Sequence, residues 1–159
     1  MTKRHLTGLL LCLIATPLWA TNPVWLEGKT ADSHEITVYR NASCGCCKGW
    51  IKHLEAHNFA VTDVTVDDVN KFKQQFNVPT QAASCHTAVV DGIAIEGHVP
   101  AQDIKRLLSD RGDIRLLAVP AMPSGSPGMD FDGAPSTPFR VYAISQDDRV
   151  DVFQSYSDY

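Results

Sequence analysis

Ile36-Thr37-Val38-Tyr39-Arg40-Asn41-Ala42-Ser43-Cys44-Gly45-Cys46-Cys47-Lys48-Gly49-Trp50-Ile51-Lys52-His53-Leu54 sets three thiols between two kinds of periodicity. Upstream, Ile36 to Tyr39 is β-branched and aromatic, the composition of a strand. Downstream, Cys47, Trp50, Ile51 and Leu54 recur at helical i, i+3, i+4, i+7 spacing, so Cys47 opens the buried stripe of a helix running from about Cys46 to His57. The thiols therefore occupy a strand-to-helix handover, where unpaired N–H groups and the positive end of the helix dipole favour thiolate over thiol. Thiolate is the form that attacks disulfides and binds metals. Cys44 and Cys47 make a Cys-x-x-Cys pair, and Cys46 adds a sulfur that a simple dithiol switch does not need.

The N-terminal residues read as a secretory signal over 1–20: Lys3 and Arg4 form the basic region, Leu6 to Ile14 the apolar region, and Ala20 suits the position before the cut, although Leu18 is large for its place. A membrane span is the alternative, but Pro17 and the polar Thr21-Asn22-Pro23 interrupt the run short of the ~20 apolar residues a spanning helix needs. Cys12 follows Leu11, where lipid attachment wants a small residue, and is assigned to the discarded signal. Cleavage removes two of the 14 basic residues and none of the 18 acidic ones, moving the balance from −4 to about −6. Nucleic acid, which calls for a basic footprint, is excluded as a partner. Of the five cysteines, Cys44, Cys46, Cys47 and Cys85 remain. In an oxidising compartment this even set also allows two structural disulfides.

The 159 residues fit a single domain: a leader arm over 21–34, with Trp25 and Leu26 as docking residues, and a folded unit over 35–159. A second strand is expected from about Ala60 to Val66, then a helix capped by Asp67 or Asp68 with Val69, Phe72 and Phe76 on its apolar face, ending before Pro79. Thr87 to Val90, Asp91-Gly92 and Ile93 to Glu96 read as a hairpin, because Asp-Gly supplies the positive φ angles of a two-residue turn. A third helix follows from about Pro100 to Asp110. From Leu116 to Pro138 the chain reads as loop, and strands at Phe139 to Ile144 and Val150 to Phe153 form a C-terminal hairpin. The order β-α-β-α-β-β-α, with cysteines between the first strand and first helix, predicts an α/β thioredoxin-like fold carrying an additional C-terminal β-hairpin. In that topology Cys85 and His86 face the cysteine turn, at the place where thioredoxin-like oxidoreductases carry a proline.

Four segments carry a family resemblance: Tyr39 to Cys47, Ser84-Cys85-His86 to Gly92, Glu96-Gly97-His98-Val99-Pro100, and Met122-Pro123-Ser124-Gly125-Ser126-Pro127-Gly128-Met129. Together, over about Glu35 to Phe153, the chain resembles the CopG-type copper-resistance proteins, an exported thioredoxin-like family distinct from the DNA-binding repressor of the same name. The resemblance implies a periplasmic protein that binds copper through Cys44, Cys46, Cys47 and Cys85, as a multinuclear Cu(I)–thiolate cluster, working with other periplasmic copper-handling proteins. It leaves open whether the chain only binds copper or is a copper oxidoreductase cycling Cu(I) and Cu(II).

Soft thiolates select Cu(I), zinc or iron–sulfur. Structural zinc takes two separated chelating pairs, whereas adjacent Cys46 and Cys47 are better placed to bridge several ions, which favours copper. Around this set, His86 and His98 are candidate ligands or proton partners, and Met122 and Met129 are candidate thioether contacts in a loop without a helical face to bury them. Trp50 is expected in the core, one turn beyond Cys47. His53 and His57, at i and i+4, have a chelating spacing but read as surface residues on a polar edge. The rival function is a thiol–disulfide oxidoreductase in which Cys44 attacks and Cys47 resolves.

Overall fold

The computed structural model describes residues 22–159, so the signal reading at 1–20 lies outside the described residues. The chain forms a mixed α/β structure on one seven-stranded sheet ordered β2-β1-β3-β4-β5-β6-β7. The strands are β1 His34–Arg40, β2 Phe59–Thr65, β3 His86–Val90, β4 Ile93–Glu96, β5 Ile114–Ala118, β6 Phe139–Ser145 and β7 Val150–Tyr156. Three α-helices, α1 Gly45–Ala56, α2 Asn70–Gln75 and α3 Ala101–Ser109, connect them. No helix among the described residues is long and apolar enough to cross a membrane.

β1 lies parallel to β2 and antiparallel to β3, so α1 is the crossover of a βαβ unit. Its stripe of Cys47, Trp50, Ile51 and Leu54 is buried, with Trp50 donating its indole N–H to the Val99 carbonyl at 2.8 Å. The hairpin between β3 and β4 turns on Asp91 at φ 48° and Gly92 at φ 75°, the pair of positive angles that a two-residue turn requires. α2 is shorter than its sequence pattern: it begins after Val69, Asp68 accepts the Asn70 N–H at 2.9 Å, and Phe72 stacks on Tyr39 with ring centres 4.0 Å apart.

Two expectations are corrected. The stretch read as loop from Leu116 begins inside a strand, β5, which lies parallel to β4 and antiparallel to β6. Leu117 packs in the main core, while Leu116 and Ala118 join Ala94 and Ile144 in a smaller cluster. A strand buried on both faces has no polar alternation to reveal it. Because of β5, the C-terminal pair β6 and β7 continues the main sheet. The second correction concerns His53 and His57, which are buried. His57 donates from Nε2 to the Trp25 carbonyl at 2.7 Å, and His53 Nε2 accepts the Ala101 N–H at 2.9 Å, so each ring ties a distant segment to α1. The covering pieces, Trp25 and the start of α3, come from distant parts of the chain. Trp25 is itself fully buried and donates to the Gly125 carbonyl at 2.9 Å, whereas Leu26 is exposed.

Candidate metal centre

α1 starts at Gly45 with Cys44 as its N-cap, the Cys44 sulfur accepting the Cys47 N–H at 3.3 Å. One helical turn therefore gathers three sulfurs. The fourth arrives across the sheet: Arg40 at the end of β1 pairs with His86 at the start of β3, which sets Cys85 beside the cysteine turn. Cys44 and Cys47 are joined as a disulfide with Cα atoms 5.4 Å apart, and Cys46 and Cys85 are free thiols. Cys46 Sγ lies 3.6 Å from Cys44 Sγ and 4.0 Å from Cys85 Sγ, and Cys85 Sγ lies 3.6 Å from Cys47 Sγ. All four sulfurs fall within 4.8 Å of one another.

Nitrogen donors complete the inner side. His86 Nδ1 and His98 Nε2 each stand 3.2 Å from Cys85 Sγ. His98 Nδ1 is 2.8 Å from the Pro127 carbonyl, which can only accept, so the proton sits on Nδ1 and the Nε2 lone pair faces the sulfur. His86 is fully buried against Trp50, with ring centres 4.4 Å apart, and its Nε2 has no partner among the described residues. Burial holds His86 well below the usual imidazole range, with neighbouring His98 adding to the effect, and burial also lowers His98. Both rings are thus neutral at pH 7, the form that ligates metal. Burial first, and then Cys46, pushes the Cys85 thiol up to about 12.

On the outer side Met122, 49% exposed, sets its thioether sulfur 4.0 Å from Cys46 Sγ. The hydrogen bonds of Met129 are backbone bonds within its own loop, accepting the Gly125 N–H at 3.0 Å and donating to the Ser126 carbonyl at 2.7 Å, and they bring no group to the sulfurs. The loop carrying both lies on the first turn of α1 because Gly128, at φ 83°, has no side chain there: a Cβ would come within 2.5 Å of Trp50 N and 2.7 Å of the Cys46 carbonyl. That approach brings the Pro127 carbonyl to His98.

Comparisons with known proteins agree on one relationship. Residues 82–129 match the family described as "protein of unknown function, DUF411". The solved structure titled copper resistance protein copG, form 2, shares 44% identity, with a TM-score of 0.75 over 79% of this chain and 100% of that one. Form 1 of the same protein gives 44% identity and a TM-score of 0.74 over 78% and 98%. The chain belongs to the CopG family of copper-resistance proteins. No curated protein matches. The matched family segment contains Cys85, His86, His98, Met122 and Met129, while Cys44, Cys46 and Cys47 lie upstream of it. Among the described residues two groups have the spacing to hold a metal ion: Cys44, Cys46, Cys47 and Cys85, and Cys85 with His86 and His98. Cys85 belongs to both.

Sequence reasoning did not find the Pro127 carbonyl that orients His98, since a backbone acceptor leaves no residue-type signal. Nor did it assign Glu96, although a lone acid closing the apolar run Ile93-Ala94-Ile95 was a visible cue.

Proposed function

We propose that this chain is an exported, periplasmic copper-binding protein of thioredoxin-like architecture, which takes Cu(I) as a multinuclear thiolate cluster in copper tolerance. The observation that carries the reading is the mutual approach of Cys44, Cys46, Cys47 and Cys85 within 4.8 Å, with two neutral imidazoles against Cys85. The donor chemistry fits: thiolate and thioether sulfur select Cu(I), and imidazole also accommodates Cu(II), which supports cycling between the two states. Adjacent Cys46 and Cys47 favour bridging over chelation of a single ion. With the Cys44–Cys47 disulfide formed, Cys46 and Cys85 are the thiols available among the described residues. Reduction of that bond by an external dithiol, itself oxidised to a disulfide, would yield the four-thiol form able to hold the cluster.

The same disulfide favours a second reading, a thiol–disulfide oxidoreductase. Cys47 is buried and Cys44 half-exposed, the arrangement of a resolving and an attacking sulfur.

Metal content and free-thiol count on the reduced chain, loaded anaerobically with Cu(I), separate the two. Several coppers per chain with all four thiols protected, and loss of that stoichiometry in Cys46→Ser, are expected. No retained copper together with reversible oxidation of Cys44 and Cys47 would replace the first reading by the second.

A further inference from the structure

The carboxylate of Glu96 is fully buried at the end of β4. Its Oε1 accepts from Lys73 Nζ at 2.5 Å and from the Ser84 backbone N–H at 2.6 Å, and its Oε2 accepts from the Thr87 hydroxyl at 2.7 Å. Lys73 also donates to the Thr87 hydroxyl at 3.2 Å. A buried ion pair is weak evidence for stability, because desolvation offsets its attraction and apolar replacements are often tolerated. What this one grips is more informative. Ser84 immediately precedes Cys85, and Glu96 itself lies two residues before His98.

The knot reaches the third loop as well. The Ser84 hydroxyl donates to the Ala121 carbonyl, Ala121 donates its N–H to the Ala83 carbonyl at 3.2 Å, and Met122 follows. Val119 donates to the Glu96 carbonyl at 3.0 Å. Gly97 allows this closeness, since a Cβ there would fall 2.5 Å from both the Ser84 hydroxyl and the Val119 carbonyl. Loops bearing Cys85, His98 and Met122 thus meet at Glu96 and Ser84.

We propose that Glu96, acting through Ser84, is a positioning residue that holds Cys85 and Met122 beside the α1 sulfurs and His98 beside Cys85. The proposal rests on the copper reading above. Removing groups that orient metal ligands typically costs 10–100-fold in affinity.

Two double variants isolate the hydrogen bond from the charge. Glu96→Gln with Lys73→Met removes both charges and keeps an acceptor for Ser84. Glu96→Leu with Lys73→Met removes the acceptor too. Cu(I) affinity of the reduced chain is read by competition with a chromophoric chelator. The iodoacetamide alkylation rates of Cys85 and Cys46 are read in the copper-free protein by peptide mass mapping. The Leu/Met variant should bind Cu(I) at least about tenfold more weakly, with the Gln/Met variant within about threefold of wild type. Cys85 alkylation should accelerate in the Leu/Met variant with Cys46 unchanged. A merely structural role would speed both thiols together. That result, or Cu(I) affinity within about threefold of wild type in the Leu/Met variant, overturns the proposal. If the wild-type chain takes no Cu(I), the copper reading falls and alkylation alone judges the clamp: a faster Cys85 in the Leu/Met variant supports it, and equal rates in the two variants overturn it.

Discussion

His53→Gln should make the protein less sensitive to acid. Burial, followed by the nearby His57 and Lys29, pulls the His53 imidazole from 6.5 down to about 3. Its Nε2 accepts the first N–H of α3 at 2.9 Å, a bond that protonation would abolish. Below pH 6.5 the unfolded chain binds a proton at this side chain that the folded chain refuses until about pH 3. Stability from the neutral ring is therefore complete above pH 6.5 and drains away as pH falls towards 3. At ~1.4 kcal/mol per pH unit the whole window is worth about 5 kcal/mol, of which about 3 kcal/mol is gone by pH 4.5. Glutamine reaches as far as Nε2, offers an acceptor to Ala101 and does not titrate. His57, Lys29 and Lys105 face the same cluster in both proteins, so their contributions largely cancel in the difference. The assay is urea unfolding between pH 7.5 and 3.5, followed by fluorescence of the buried Trp25 and Trp50. At pH 7.5 wild type is the more stable by the packing of its ring. Below pH 6.5 that advantage should shrink by ~1.4 kcal/mol per pH unit. Parallel stability profiles for the two proteins would refute the reasoning.

Gly128→Ala should destabilise the fold by about 2 kcal/mol or more, because its Cβ would meet the backbone of α1 at 2.5 Å and its φ of 83° is strained for alanine; an unchanged thermal midpoint would show that the loop does not need this approach. Cu(I) loading at pH 7 should release the proton of Cys85, held at about 12, so that weakly buffered solutions acidify and apparent affinity rises about tenfold per pH unit for each proton displaced. Indicator-dye titration of wild type against Cys85→Ser checks this, and equal proton release by the two would remove Cys85 from the ligand set.

Local chemistry was legible where one segment carries its own signal. Asp91-Gly92 announced its turn, and Cys47, Trp50, Ile51 and Leu54 announced the buried face of α1. What failed depended on distant partners. Leu116 and Ala118 look like loop until Ala94 and Ile144 cover their face, and His53 and His57 look like surface until Trp25 and α3 close over them. The candidate site divides in the same way. Its residue types stood out in the sequence, including the fourth cysteine outside the α1 turn. The approach of Met122 to Cys46 depends on the bonds that tie Ala121 to Ser84 and Ala83, and which nitrogen of His98 is free depends on the Pro127 carbonyl.

The two halves of the site are held by different physics. Cys44, Cys46 and Cys47 take their spacing from the N-cap and first turn of α1, with the Cys44–Cys47 disulfide fixing two of the three sulfurs. Cys85, His86, His98 and Met122 have no shared element. Their separations follow from the β1–β3 register, the β3–β4 hairpin and the Glu96–Ser84 knot. The inner members, Cys47, His86 and His98, are fully buried, whereas Met122 stands half in solvent. Burial keeps the imidazoles neutral and the Cys85 thiol protonated at neutral pH. Under the proposed function, variants in the α1 turn should change how many coppers the chain holds. Variants in the Glu96 knot should change how tightly it holds them.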